Sequence, residues 1–141
     1  MKKILLSRGV KPMRDGKRSA KDYPHWAELK GLLISNGYQV DEITEMPLDN
    51  LKEFIESADT VIAPDSFIQH FCWSIGKQAI VLWGVGDPAI FGHKENINLL
   101  KSRNNLREKQ FNFWEGQEHK NEVFMTPTEI IKVVKKHFPT Q

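Results

Sequence analysis

Asp65, Ser66 and His70 follow one another in the order Asp-Ser-x-x-x-His, directly after the apolar run Thr60-Val61-Ile62-Ala63 and Pro64. The pattern joins a buried strand to the start of a helix. At such a start the first backbone N–H groups have no intrahelical partner and point outward with the positive end of the helix dipole. The chemistry this suits is holding a phosphate or pyrophosphate on the first backbone amides of the helix that Ser66 opens. His70 lies four residues after Ser66, on the next turn of the same face, so its imidazole reaches an anion held there. Asp65 is then directed into the crevice, where a sugar hydroxyl is a suitable partner. A plainer alternative stays open: Ser66 caps the helix, Asp65 assists it, and His70 is a half-buried polar residue.

Two other segments hold chemistry-bearing residues. Ser7-Arg8-Gly9 opens a basic stretch with Lys11, Arg14, Lys17, Arg18 and Lys21 against only Asp15 and Asp22. Its side chains are placed to close over phosphates by charge-assisted hydrogen bonds, or they are simply solvated. Gly84-Val85-Gly86-Asp87-Pro88 offers glycines that permit close backbone approach to a ligand, or that simply make a turn ending in a common Asp-Pro dipeptide.

These segments depend on the elements that carry them. Ile4-Leu5-Leu6 is a continuous apolar run, as expected of a strand buried on both faces of a parallel sheet. Pro24 opens a helix with Trp26, Leu29, Leu32 and Leu33 at helical spacing, closed by Asn36-Gly37. Residues 38–43 read as a second strand, and Leu51, Phe54 and Ile55 mark a short helix beginning near Pro47. After the strand at Thr60–Ala63, Ser66-Phe67-Ile68-Gln69 fits a capping box, and Ile68, Phe71, Cys72 and Ile75 make an apolar stripe ending at Gly76. Ala79–Trp83 is a fourth strand, Gly84–Pro88 a loop and Ile97–Leu100 a weaker fifth strand. Residues 101–125 show no regular periodicity, so they hold either a short strand at 122–125 or a functional loop. Phe111, Phe113 and Trp114 within it could form a stacking platform or a lid, but loop aromatics more often pin their segment to the core, and that role is expected here. Thr126-Pro127-Thr128-Glu129 is a second capping box, leading a helix with Ile130, Val133 and Val134 inward.

Strands alternating with helices at this spacing imply an α/β, doubly wound, mostly parallel sheet built from right-handed crossovers, in a single domain over residues 1–141. Ligands bind such sheets at the carboxyl ends of the strands, where all three segments fall. With 141 residues, 40% hydrophobic and 27% charged, one domain can bury a self-sufficient core. The lone Cys72, expected in the core, cannot form an internal bridge, and Met1-Lys2-Lys3 precedes only three apolar residues, so a reducing, cytoplasmic setting without a secretion signal is expected. No apolar run approaches the roughly 20 residues that span a bilayer. A net charge of +2 does not argue for a nucleic-acid partner. His25, His93, His119 and His137 have no metal-binding spacing, and no metal or cofactor is expected.

The stretch from Thr60 to His70, followed by Gly76-Lys77, Ile80-Val81-Leu82-Trp83-Gly84 and Asp87-Pro88, resembles the heptosyltransferase-like family of GT-B glycosyltransferases, in their C-terminal, donor-binding half. The likeness reaches back to Lys21 and Pro24 and forward to Pro127-Thr128-Glu129-Ile130. It implies a Rossmann-like single GT-B half that binds a nucleotide-diphosphate sugar. Asp65 would face the donor sugar, the amides of Ser66, Phe67 and Ile68 and the imidazole of His70 would hold the diphosphate, and Lys21 would approach the nucleotide. The chain departs from the family at Phe67, where a small residue is usual, and between Val40 and Pro47, where an acidic ribose-contacting segment is shortened. The other half, which binds the acceptor and supplies the catalytic base, is not represented in the sequence, so transfer is expected to need a separate acceptor-binding subunit or a homo-oligomer. The alternative is a non-catalytic protein that binds or sequesters a nucleotide or nucleotide-sugar.

Overall fold

Strands that are apolar on both sides need cover on both sides, and the arrangement of the chain follows from that. The computed structural model describes residues 1–114 and 116–140. Its elements are β1 (Lys3–Leu6), α1 (Trp26–Ser35), β2 (Gln39–Glu42), α2 (Leu48–Glu56), β3 (Thr60–Pro64), α3 (Phe67–Ser74), β4 (Ile80–Trp83), α4 (Pro88–Phe91), β5 (Ile97–Leu100) and α5 (Pro127–His137). The strands form one sheet in the order β2-β1-β3-β4-β5, every adjacent pair parallel. In register, Leu6 stands beside Ile62 and Ile62 beside Ile80.

Successive side chains of a strand face opposite ways. Ile4, Leu6, Ile62, Ile80 and Leu82 pack with Leu29 and Leu33 of α1 and Ile130 and Val134 of α5 on one face. Leu5, Val61, Ala63 and Val81 pack with Leu51 and Ile55 of α2 and Ile68 and Cys72 of α3 on the other. The α5 capping box forms as expected, with the Glu129 amide donating to Thr126 Oγ1 at 3.2 Å. Ile131 is buried beside Ile130 and Val134, while Val133 is half-buried. Cys72 is fully buried, which pushes its thiol pKa up to about 11. Among the described residues, no helix is long and apolar enough to cross a membrane.

Three expectations need correction. Residues 122–125 do not form a strand: Asn121–Val123 is a single 3₁₀ turn, after which Phe124 inserts into the core. Side chains hold this segment in place of a ladder, Tyr23 Oη donating to the Met125 carbonyl (2.9 Å) and Lys101 Nζ to that of Glu122 (3.0 Å). Phe111 and Phe113 do not pin the loop, being 81% and 90% exposed; Trp114, Val123 and Phe124 do. Asp87-Pro88 is more than a turn, since Asp87 caps α4 with Pro88 in its first turn.

Candidate functional site

The chain runs from β1 outward to β2 and then returns to place β3 on the other flank of β1. This reversal opens a crevice beyond the carboxyl ends of β1 and β3, the usual ligand position in a parallel sheet. Two of the segments singled out above meet there. The Ser7 amide donates to the Ile62 carbonyl at 2.9 Å, extending the ladder past β1 and leading the chain to Gly9. Ser7 and Gly9, residues 43–46 after β2, and Phe67 and Ile68 of α3 line a cleft of about 670 Å³.

Beside this cleft, α3 begins without a side-chain cap. Ser66 is extended, and its hydroxyl turns back to the Pro64 carbonyl (3.2 Å) instead of covering the helix amides. Gln69, expected to complete a capping box, is fully buried and donates to Asp65 Oδ1 at 2.7 Å. The expected capping box is therefore absent, because the preceding carbonyl and Asp65 compete successfully for its two side chains. The helix terminus is left without a hydroxyl plug.

Asp65 is correspondingly well fixed through one oxygen. Its other oxygen, Oδ2, is buried and receives no hydrogen bond from the described residues, although Lys21 Nζ stands 3.2 Å away as a charge partner. The same ammonium lies 4.6 Å from the centre of the Trp114 ring. A free helix terminus, a half-satisfied carboxylate and a cation thus converge at one end of β3. This arrangement can hold an anion on the amides and the ammonium while Asp65 accepts from a hydroxyl.

The other singled-out residues are placed as follows. His70 is exposed, with Nδ1 at 2.8 Å from Nε2 of His93, whose ring stacks on Trp73 at 4.5 Å. Phe67 is 59% exposed at the cleft and lies 5.6 Å from Phe71. Lys17 is exposed just past the turn at residues 14–16, and Arg18 is engaged by Asp22 at 2.7 Å. Gly84 is required by the core, since a Cβ there would stand 2.8 Å from Phe124 Cζ. Asp87 is enclosed: it accepts from the Ala89 amide at 2.9 Å and from both terminal nitrogens of Arg103 at 3.1 and 2.9 Å. The Arg103 hydrogen bonds hold its carboxyl below the usual range. Of the basic stretch, Lys21 is the residue brought to Asp65.

Thr44, Glu45, His93, Arg107 and Trp114 were not singled out by sequence reasoning as site residues. Residues 44 and 45 were discoverable, because they follow a strand at its carboxyl end. His93 and Arg107 carry no local signal, and Trp114 stood out only as a loop aromatic; their places come from the folding of distant loops. Among the described residues, no group of three or more His, Cys, Asp or Glu side chains could hold a metal ion.

Comparison with known proteins adds the following. Residues 43–127 match the model of glycosyltransferase family 9 (heptosyltransferase), more than half of the chain. No curated protein matches. Solved structures do. The iron-containing dodecameric glycosyltransferase TibC from enterotoxigenic E. coli superposes with a TM-score of 0.69 at 16% identity, over 96% of this chain and 44% of that one. The E. coli ADP-heptose LPS heptosyltransferase II gives 0.68 at 18% identity, over 96% and 46%. E. coli heptosyltransferase WaaC with ADP gives 0.62 at 18% identity, over 94% and 43%. The chain spans less than half the length of each, and at these identities the likeness establishes the fold: a Rossmann-like α/β sheet as in GT-B heptosyltransferases.

Proposed function

This chain belongs to glycosyltransferase family 9 (heptosyltransferase), and on that premise we propose that residues 1–141 act as a donor-type GT-B domain that binds a nucleotide-diphosphate sugar at the start of α3. The observation that carries this reading is the uncapped α3 terminus beside the Asp65–Lys21 pair, at the point where the strand order reverses. The diphosphate lies on the amides of Ser66, Phe67 and Ile68, with Lys21 and His70 alongside, and Asp65 Oδ2 accepts from a sugar hydroxyl. Gly9 lines the neighbouring cleft that receives the nucleoside. Lys17 and Arg18 stand further out on the basic stretch; Gly84 and Asp87 shape the adjoining loop. In transfer, an acceptor hydroxyl attacks the anomeric carbon, the bond to the diphosphate breaks, and the helix terminus with its cations stabilises the departing charge.

A separate acceptor-binding subunit, or another copy of the chain, supplies the acceptor and the base. The names of the E. coli relatives, one with ADP and one an ADP-heptose enzyme, make ADP-sugars the first ligands to try. A second reading is a binder that sequesters such a ligand without turnover, since the uncapped α3 terminus and the Asp65–Lys21 pair are binding groups by themselves. Calorimetric titration with ADP-, UDP- and GDP-sugars, with assay of released nucleotide diphosphate, separates the two. Turnover abolished by Asp65→Ala supports transfer, and binding without turnover in the presence of acceptors supports sequestration. Failure of all three nucleotide classes to bind removes both.

A further inference from the structure

Lys21 sits where two unrelated parts of the chain meet. Its ammonium is 3.2 Å from Asp65 Oδ2 and 4.6 Å from the Trp114 ring centre. The guanidinium carbon of Arg107 stands 3.6 Å from that same centre. Arg107 donates to the backbone carbonyls of Gln110 (3.0 Å), Phe113 (3.2 Å) and Asn112, folding residues 107–114 around its own head group. Gln110 donates to the Val85 carbonyl at 3.0 Å and accepts from the Asp87 amide at 2.9 Å, which fastens this arm to the loop after β4. The arm's end reaches the donor turn: a Cβ on Gly86 would lie 3.5 Å from both Asp65 Oδ2 and Trp114 Cη2.

A lysine has a flexible four-carbon stem, and a partly exposed ion pair alone restrains it weakly. The negative face of an indole supplies a second hold on the same ammonium. We propose that Trp114, delivered by the 107–114 arm, is a positioning residue of the donor site that keeps Lys21 over Asp65 and the α3 terminus. This rests on the donor-site reading, but it assigns a role to a segment outside the Asp-Ser-x-x-x-His element. The aromatic face is the working part, so the role grades with the ring offered to the cation.

The test compares the full chain with Trp114→Leu, Trp114→Phe, Lys21→Met and the double variants Lys21→Met/Trp114→Leu and Lys21→Met/Trp114→Phe. Affinities are measured for inorganic pyrophosphate, ADP and adenosine, with thermal unfolding in parallel. Trp114→Leu is expected to weaken pyrophosphate and ADP by about tenfold while leaving adenosine unchanged, with Trp114→Phe intermediate. Lys21→Met/Trp114→Leu is expected to bind no worse than Lys21→Met alone, because the indole acts through the lysine. In ligand-free protein, the difference in fluorescence between wild type and Trp114→Phe should change when Lys21→Met is introduced, a readout that holds even if Trp114→Leu does not fold. Equal phosphate affinity in wild type and Trp114→Phe, fully additive losses, or an indole emission indifferent to Lys21 overturns the proposal and leaves the donor reading standing. Pyrophosphate binding that follows the expected series, without nucleotide-sugar binding, supports the Trp114 role and removes the donor reading. Absence of binding to every phosphate probe overturns both.

Discussion

Two strand-to-helix handovers lie side by side at the carboxyl edge of the sheet, after β3 and after β4, and they are finished in opposite ways. After β4, Asp87 caps the α4 amides, Arg103 clamps its carboxylate and Gln110 covers its own amide. After β3, Ser66 leaves α3 without a side-chain cap, and a buried carboxylate oxygen of Asp65, ion-paired with Lys21, receives no hydrogen bond from the described residues. Buried polar groups are normally satisfied, and each exception calls for a reason. The same local chemistry, an acid near the start of a helix, thus closes the helix start at one handover and leaves it uncapped at the other. Position in the sheet decides which, because the reversal of strand order opens its crevice at β1 and β3 and not at β4.

That contrast is sharpest in a pair of substitutions, one at each handover. Asp65→Asn keeps the acceptor for Gln69 and is expected to lower nucleotide-sugar affinity on the order of 10- to 100-fold with little change in urea midpoint. Should it destabilise the fold and spare binding, the two handovers would not differ as described. Gly84→Ala tests the closed side, where the new methyl meets Phe124 and is expected to cost about 1–3 kcal/mol in chemical denaturation.

Asp87→Ala removes the α4 cap and the Arg103 clamp, for an expected loss of about 1–2 kcal/mol at neutral pH. Its pH dependence has a definite sign. The folded-state pKa of Asp87 is depressed, so its contribution is complete above the unfolded value of about 3.9 and fades as pH falls through the folded one. The stability gap between wild type and variant should therefore narrow below about pH 4; a gap that is flat with pH would mean the carboxylate charge is not what matters. The smallest effect compares two caps. Thr126→Ala should cost about 1 kcal/mol, and Ser66→Ala less than about 0.5, because the Ser66 hydroxyl does not cap its helix. Equal losses in thermal unfolding would show that α3 is capped after all.

Ser66-Phe67-Ile68-Gln69 and Thr126-Pro127-Thr128-Glu129 look alike as strings, yet only the second closes a capping box. A motif of this kind records what neighbours in sequence can do, and Asp65 and Pro64 offered Ser66 and Gln69 other partners. His93 illustrates the opposite limit: nothing near it in sequence announces its contact with His70.

Legible along the chain were the alternation of strands and helices, their two-sided burial, and the placing of Asp65 and Ser66 at the end of β3. Those outcomes follow from periodicity and local backbone chemistry, which are written within short windows. Tertiary structure decided that Lys21 meets Asp65, that Trp114 and Arg107 join them from a segment with no readable pattern, and that Asp87 closes on Arg103. Contacts between residues so far apart along the chain depend on how loops pack across a finished sheet.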